Sequence, residues 1–337
     1  MRLRLLCCII FSVCVPGCRS SDPTPPLVLP PGSARGLYVV NEGGFSGGGG
    51  VSFYDSQRDT VYQNAVAGSD DWVFPNDMMI VGAKAYVTVN GSDRIDVIDM
   101  PRQAVVGSIP FPMFSGPGFM AASGETLFVA NYDGSISLVK LGADSLIATI
   151  PGVVGFPGGI ACHAGKVFVS DIGLYPTAGS VVKVLYPGNP GRFDSVHVEN
   201  APGQLVELGG GLFVVCTGTS KVYRFDTESL ALTDSLQLGA YVSDCATDGE
   251  FLYLLGSDGV AKLEDNPLTI IHSSLIRRSA GSYFYALFVS KPAGIIYVSN
   301  IMSPGGVGRV ESYRVDGSER RQPFAVGIFP GAFALKE

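Results

Sequence analysis

Seven short segments of this chain open on an aromatic residue and continue as an apolar run. They are Tyr38-Val-Val-Asn41, Tyr86-Val-Thr-Val89, Phe128-Val-Ala-Asn131, Phe168-Val-Ser-Asp171, Phe213-Val-Val-Cys216, Tyr253-Leu-Leu-Gly256 and Tyr297-Val-Ser-Asn300. The leading aromatics are 48, 42, 40, 45, 40 and 44 residues apart. A unit of that size cannot bury its own apolar faces, so it must stack on its neighbours. Aromatic and β-branched residues favour strands, and no segment of the body shows a helical period. A repeat of about 43 residues is the size of a four-stranded propeller blade, and seven blades need about 300 residues. Residues 36–337 supply 302.

One repeat shows the pattern. Residues 78–81 form an inner strand a, 82–84 a turn, 85–89 strand b, Asn90-Gly91-Ser92-Asp93 a hairpin turn, 94–99 strand c and 104–109 strand d. The body opens at Leu37 with a strand b that lacks its strand a. It ends in Pro330-Gly-Ala-Phe-Ala-Leu-Lys-Glu337, a strand a with no b after it. The expected fold is therefore all-β: a seven-bladed β-propeller of four-stranded blades, its ring closed by pairing a C-terminal strand a with N-terminal strands b–d. Closure removes the exposed edges of an open sheet.

Composition agrees with a folded body. Hydrophobic residues are 46% and charged residues 16% of the chain, the reverse of a disordered balance. The 44 glycines show no collagen-like period and suit many tight turns. The net charge of −7 and the lack of a basic stripe argue against nucleic-acid binding, which needs Lys and Arg to neutralise phosphate.

The N-terminus reads as an address. A short basic stretch at 1–4 precedes an apolar run at 5–15, too short to span a bilayer. Val15-Pro16-Gly17-Cys18 resembles a bacterial lipobox, with Pro16 a departure from the usual small or aliphatic residue; an ordinary secretory signal is the alternative. The resemblance implies a signal peptide at 1–17, a lipidated Cys18 and a proline-rich tether at 18–35, ahead of a propeller at 36–337. Loss of Arg2 and Arg4 with the signal would take the charge from −7 to −9, so only the acyl chains would hold the protein on a membrane. Cys162, Cys216 and Cys245 remain in the body; three cysteines allow at most one bridge, and small buried hydrophobes are the other reading.

A propeller sorts its connections onto two faces. The b–c turns carry Phe45, Tyr132 and Tyr175, and the d–a links carry Trp72, Phe74, Phe111, Phe114, Phe156, Tyr241, Tyr283 and Phe329. The opposite face, with its turns at 82–84, 123–125, 164–166, 209–211, 226–229 and 248–250, is nearly free of rings; Phe193 is its clearest exception. The long segments 42–50, 171–180 and 301–308 also lie on the aromatic face. Rings on long loops of a rigid scaffold suit recognition, although some must cap the layers between blades. The candidate ligand-binding set is Phe45, Trp72, Phe74, Asn90, Asp93, Phe111, Phe114, Tyr132, Asp133, Phe156, Tyr175, Tyr241 and Tyr283, with Asp70, Asp71 and Asn76 as polar neighbours.

Other motifs are structural. Gly43–Gly50 lacks the Gly-Lys-Ser/Thr of a phosphate loop, and Asp93, Asp96 and Asp99 lack EF-hand spacing. Asn41, Asn131 and Asn300 end b strands and are expected to cap turns. His163 falls beside an a–b turn, and His197 and His272 in or near outer strands, too scattered for a triad or a His-rich metal site. No catalytic residue, metal or cofactor is therefore expected.

The repeated strands resemble the YVTN β-propeller repeat family. With the lipobox-like signal, the segments at 39–45 and 51–55 look like that family's surface-lipoprotein branch in Bacteroidetes-type bacteria. Some members of that branch capture cobalamin and pass it to a TonB-dependent transporter. The resemblance implies an exported monomer, lipid-anchored at the outer membrane surface, that captures a small molecule, with a corrinoid as the leading candidate. The alternatives are a protein-interaction scaffold and a calcium-dependent propeller hydrolase, the latter drawing on Asn76, Asp77, Glu207 and Asp244.

Overall fold

The computed structural model describes residues 34–44, 47–174, 176–189, 191–301 and 306–337, together with Pro30 and Gly32. The segment expected to be a signal, Cys18 as the expected lipidation site, Phe45 and Tyr175 lie outside the described residues. The described chain forms seven four-stranded antiparallel sheets, each in the order a-b-c-d. This is a seven-bladed β-propeller. Blade 1 joins the two ends: Pro330–Lys336 pairs with Gly36–Asn41, which continues into Gly50–Asp55 and Thr60–Tyr62. The strands a of blades 2 to 7 are Pro75–Val81, Pro117–Ser123, Pro157–His163, Pro202–Leu208, Val242–Thr247 and Phe284–Ser290.

The apolar run of strand b follows from its position. Both faces of each blade are covered, so the usual polar alternation is lost. In blade 1, Leu37 and Val39 pack toward blade 7 while Tyr38 and Val40 pack toward blade 2. Seven hydrophobic clusters fill the seven interfaces. The leading aromatic of each strand b enters the interface with the next blade: Tyr38 to blade 2, Tyr86 to blade 3, and so round to Tyr297, which meets blade 1. The sequence period is thus the period of the inter-blade packing.

Strand a is longer than its apolar core suggests. In blade 2 it runs from Pro75, not Met78, because a register shift between Pro75 and Asp77 inserts an extra residue at its start. All seven strands a carry a shift at this end. A bulge there bends the inner strand and re-aims its side chains at the channel mouth. Of the asparagines expected to cap turns, Asn131 reaches its own turn through Ser135 and also donates to Ser137, whereas Asn41 Nδ2 donates to Ser52 and Asn300 Nδ2 to Glu311, both on the neighbouring strand c. Cys162, Cys216 and Cys245 form no disulfide.

The segment 171–180 differs from its reading as a loop. Strands b and c of blade 4 extend as Lys166–Leu174 and Thr177–Leu185, with Leu174 paired to Thr177. This hairpin rises above the aromatic face.

Candidate functional site

A seven-fold hydrogen bond organises the aromatic face. The residue before each strand a accepts, through its carbonyl, the N–H of the first residue after strand b, or in blade 4, where strand b is extended, of Ile172 within it. The acceptors are Phe74, Gly116, Phe156, Ala201, Tyr241, Tyr283 and Phe329; the donors are Asn90, Tyr132, Ile172, Thr217, Ser257, Ile301 and Glu42, at 2.8 to 3.1 Å. Five of the seven acceptors are aromatic, so the rings expected in the d–a links recur at one position of the repeat. Two blades break the rule with Gly116 and Ala201.

Ala201 lines a cavity of about 280 Å³ on the aromatic face. Blade 3 contributes Phe119 and Tyr132. Blade 4 contributes Phe156 to Gly158 and the hairpin residues Ile172 to Leu174 and Pro176 to Ala178. Blade 5 contributes Ala201, Gly203, Gln204 and Thr217, and blade 6 Ser243. Tyr132 fills the room over its own blade's small residues: a Cβ on Gly118 would lie 3.3 Å from its ring. The ring stacks on Phe156 with centroids 4.8 Å apart and planes at 12°, meets Phe119 edge-on at 6.1 Å, and donates its hydroxyl to Asn76 Oδ1 at 3.0 Å. Over blade 5 no ring fills the equivalent space, and the cavity opens there. Gly158 permits the close approach of blades 4 and 5, since a Cβ would come within 2.4 Å of the Pro202 carbonyl oxygen.

Asp171 fixes the wall. Its carboxylate accepts the N–H groups of Gly155, Phe156 and Gly173 at 2.9 to 3.2 Å, tying the ring of Phe156 to the base of the hairpin. Asp93, in the b–c turn of blade 2, makes similar contacts, accepting from Phe114 and Gly116 at 2.7 and 2.8 Å.

The structure sorts the sequence candidates. Tyr132 and Phe156 line the cavity. Trp72 and Phe111 are corrected to core residues: Trp72 is 1% exposed, packs between blades 1 and 2, and donates Nε1–H to Asp96 at 2.7 Å, while Phe111 closes the layer between blades 2 and 3. Burial of the ring and pairing of the indole N–H leave Trp72 no surface for a ligand. Asn90 and Asp93 hold the 111–116 link in place, Asn90 by packing its amide against Gly116; Asp133 caps its own turn through Ser135. Asp71 pairs with Arg94 at 2.8 Å. Phe114, Tyr241 and Tyr283 are exposed on the aromatic face, at 84%, 40% and 51%, and Phe74 is half-buried, but none of the four lines the cavity.

A smaller, polar cavity of about 130 Å³ lies at the axis, lined by Asn76, Asp77, Gln204 and Asp244 among others. Asp77 accepts the N–H groups of Met78 and Met120, and Asp244 those of Cys245 and Leu287, so both carboxylates tie neighbouring strands a together. Glu207 lies at the far end of its strand and faces His163 at 3.0 Å. Among the described residues, no cluster of three His, Cys, Asp or Glu is placed to hold a metal ion. Phe119 and Gln204 line both cavities and separate them.

Residues absent from the sequence reading are Gln204, Leu174, Thr217 and the small set Ala201, Gly158 and Gly203. Aligning the repeats on the residue before strand a would have exposed Gly116 and Ala201 as the two positions without a ring.

No family model and no curated protein matches this chain. Solved structures do. A provisionally assigned 6-phosphogluconolactonase from Bacteroides uniformis superposes with a TM-score of 0.69 at 15% identity, over 90% of this chain and 99% of that one. A quinoprotein alcohol dehydrogenase-like protein from Bacteroides thetaiotaomicron gives 0.68 at 13% identity, over 90% and 79%. Hydrazine synthase of Kuenenia stuttgartiensis gives 0.62 at 13% identity, over 78% and 89%. Likeness at these identities concerns the fold.

Proposed function

We propose that this propeller binds a small, largely apolar molecule in the cavity between blades 3 and 6 and does not convert it. The supporting observation is the cavity's chemistry. Its volume is near the lower end of small-molecule sites, which run from about 300 to 1,000 Å³. Its lining holds two stacked rings, aliphatic side chains and a few hydroxyl and amide groups, with no carboxylate, imidazole, ammonium or guanidinium among the described lining residues. That composition offers burial and orientation but no proton-transfer pair. A concavity also suits a small ligand better than the flat patch a protein-binding scaffold would present.

The corrinoid implied by the YVTN resemblance is larger than the cavity. It would lie across the rim of Tyr132, Phe156 and Leu174 and insert only an edge. In the same reading Cys18 is the lipid anchor and a membrane transporter receives the cargo. The point of attachment supports that arrangement: Lys336 Nζ donates to the Gly32 carbonyl at 2.6 Å, and Ala34 is fully buried, so the chain joins the body on the face opposite the cavity. An anchored propeller would therefore hold its cavity away from the lipid.

Ala201→Phe tests the site. Phe74 and Phe329 occupy the same repeat position with φ of 50° and 51°, and Ala201 has φ of 58°, so the backbone accepts the ring. Fluorescence titration with the neutral probe N-phenyl-1-naphthylamine should show binding to residues 30–337 and at least a tenfold loss in Ala201→Phe. Glu228→Ala on the opposite face should bind normally. Unchanged binding in Ala201→Phe would remove the cavity as the site. Calorimetry with cyanocobalamin decides the corrinoid separately; absence of heat removes that ligand and leaves the cavity reading standing.

A further inference from the structure

Gln204 is the one cavity residue with an uncommitted side-chain amide. The other polar groups of the interior are turned to the protein: Thr217 Oγ1 donates to the Ala201 carbonyl at 3.1 Å, Ser243 Oγ to that of Leu255 at 3.4 Å, and the Tyr132 hydroxyl to Asn76. Thr177 is exposed at the rim. The Gln204 side-chain amide makes no hydrogen bond among the described residues, and its Oε1 lies over Gly159, where a Cβ would come within 3.2 Å. It stands in the wall between the apolar cavity and the axial one. A half-buried amide carries two donors and an acceptor, and leaving them unpaired against an apolar ligand costs free energy.

We propose that Gln204 selects the ligand, and that the cavity takes an uncharged molecule with a flat apolar body and an amide-like edge. This inference rests on the cavity being the binding site. The edge exchanges a donor and an acceptor with the Gln204 amide, while the body lies against Phe156 and under the Leu174 hairpin. Neutrality follows from the lining: an anion would be stripped of water with no cation to meet it, and a cation with no carboxylate. Gly159 contributes as well. Any side chain there would press on the Gln204 amide, so the absence of one leaves the amide room to turn toward a ligand.

Three probes of one shape separate the terms: 2-naphthamide, 2-naphthoate and 2-methylnaphthalene, each displacing N-phenyl-1-naphthylamine from residues 30–337. The expected order is naphthamide tightest, methylnaphthalene about tenfold weaker and naphthoate weakest, since a site built to pair a polar edge rejects the analogue that lacks it. Gln204→Leu should bring naphthamide down to methylnaphthalene while methylnaphthalene binds at least as well as before. Gln204→Met, more adaptable in shape, should do the same, and thermal melts confirm that either variant is folded. Equal affinities for the three probes in the unaltered protein, or an unchanged order in both variants, overturns the role of Gln204 while leaving the cavity as a binding site. Failure of all probes to bind, or binding that ignores Ala201→Phe, overturns the cavity reading and this inference with it.

Discussion

Tyr132 and Phe156 belong to adjacent blades and lie parallel, 4.8 Å between ring centroids, one on a b–c turn and the other on a d–a link. The stack bridges the interface at its open end, where the cluster beneath it of Phe128, Ile160 and Val167 is already closed. It therefore serves the ring and the cavity together. An aromatic pair contributes about 0.5–1.5 kcal/mol beyond its buried area. Tyr132→Phe keeps the stack and loses the hydrogen bond to Asn76, a change of about 1 kcal/mol in urea unfolding. Tyr132→Ala should cost about 2–3 kcal/mol and weaken probe binding at least tenfold. Equal stability of the Phe and Ala variants would show that the stack contributes nothing.

Trp72 gives the opposite pattern. It is the only tryptophan, and its indole is buried against Asp96, a carboxylate that also takes Arg94 Nε at 2.9 Å and the Ser108 hydroxyl. Trp72→Phe removes a hydrogen bond to a charged acceptor and part of a buried ring, a loss of about 2–4 kcal/mol. Probe affinity should stay within twofold. Intrinsic fluorescence checks the burial directly: acrylamide should barely quench the native protein and should quench it fully in urea. Efficient native quenching would place the indole on the surface.

The architecture was legible because its cause is repetitive. Tyr38, Tyr86 and Phe128 recur at fixed intervals since each must fill the same inter-blade gap, and one unit read correctly gives seven. The aromatic side of the ring was legible for the same reason: Phe74, Phe156, Tyr241, Tyr283 and Phe329 share one repeat position. Which rings turn inward was not, because Phe111 and Phe114 are the same residue type, three positions apart, and only their neighbours bury one and expose the other. The cavity was invisible for a related reason. It is made by an absence, Ala201 standing where five of the other blades carry a ring, and by the hairpin above Asp171, whose glycines and proline read as a loop. Gln204 carries no motif; only its place between two cavities marks it.

Stability should fall at both ends of the pH scale. Burial pushes the Asp55 and Asp248 carboxyls up, but hydrogen bonds outweigh it, from the Arg58 side chain and two backbone N–H groups for Asp55, and from the Phe251 and Glu250 N–H groups and the Tyr253 hydroxyl for Asp248. Both lie below the usual carboxylate range, so their contribution is present above about pH 4 and is lost as pH falls through the folded values. Tyrosines act in the reverse sense. Burial, then the Asp144 carboxylate, pushes Tyr86 up to about 12, and burial, then Asp248, raises Tyr253 further. Their contribution is complete below about pH 10 and is lost as pH rises, because the unfolded chain ionises first. Urea midpoints should be level between pH 6 and 9 and drop by pH 11. Tyr86→Phe should shrink the alkaline drop, and an unchanged drop would exclude that residue as a source.

Closure is the last relationship that can be broken cleanly. Pro330–Lys336 contributes Ala332 and Ala334 to the layer shared by blades 1 and 2, lays Phe333 and Leu335 against that of blades 7 and 1, and pairs with Gly36–Asn41 over the strand's length. Removing residues 330–337 opens both layers and leaves Gly36–Asn41 with an unpaired backbone edge facing the channel. An edge of that kind, Leu-Tyr-Val-Val in the middle, recruits other chains. The truncated protein should lose its cooperative urea transition and associate in light scattering at micromolar concentration. A synthetic peptide of residues 330–337 should restore both by adding the missing strand, whereas a peptide with the Phe333 and Leu335 positions changed to Ser should not, since backbone pairing alone leaves the layer of blades 7 and 1 unfilled. A truncated chain that unfolds with the intact protein's midpoint would mean that the ring is held without its closing strand.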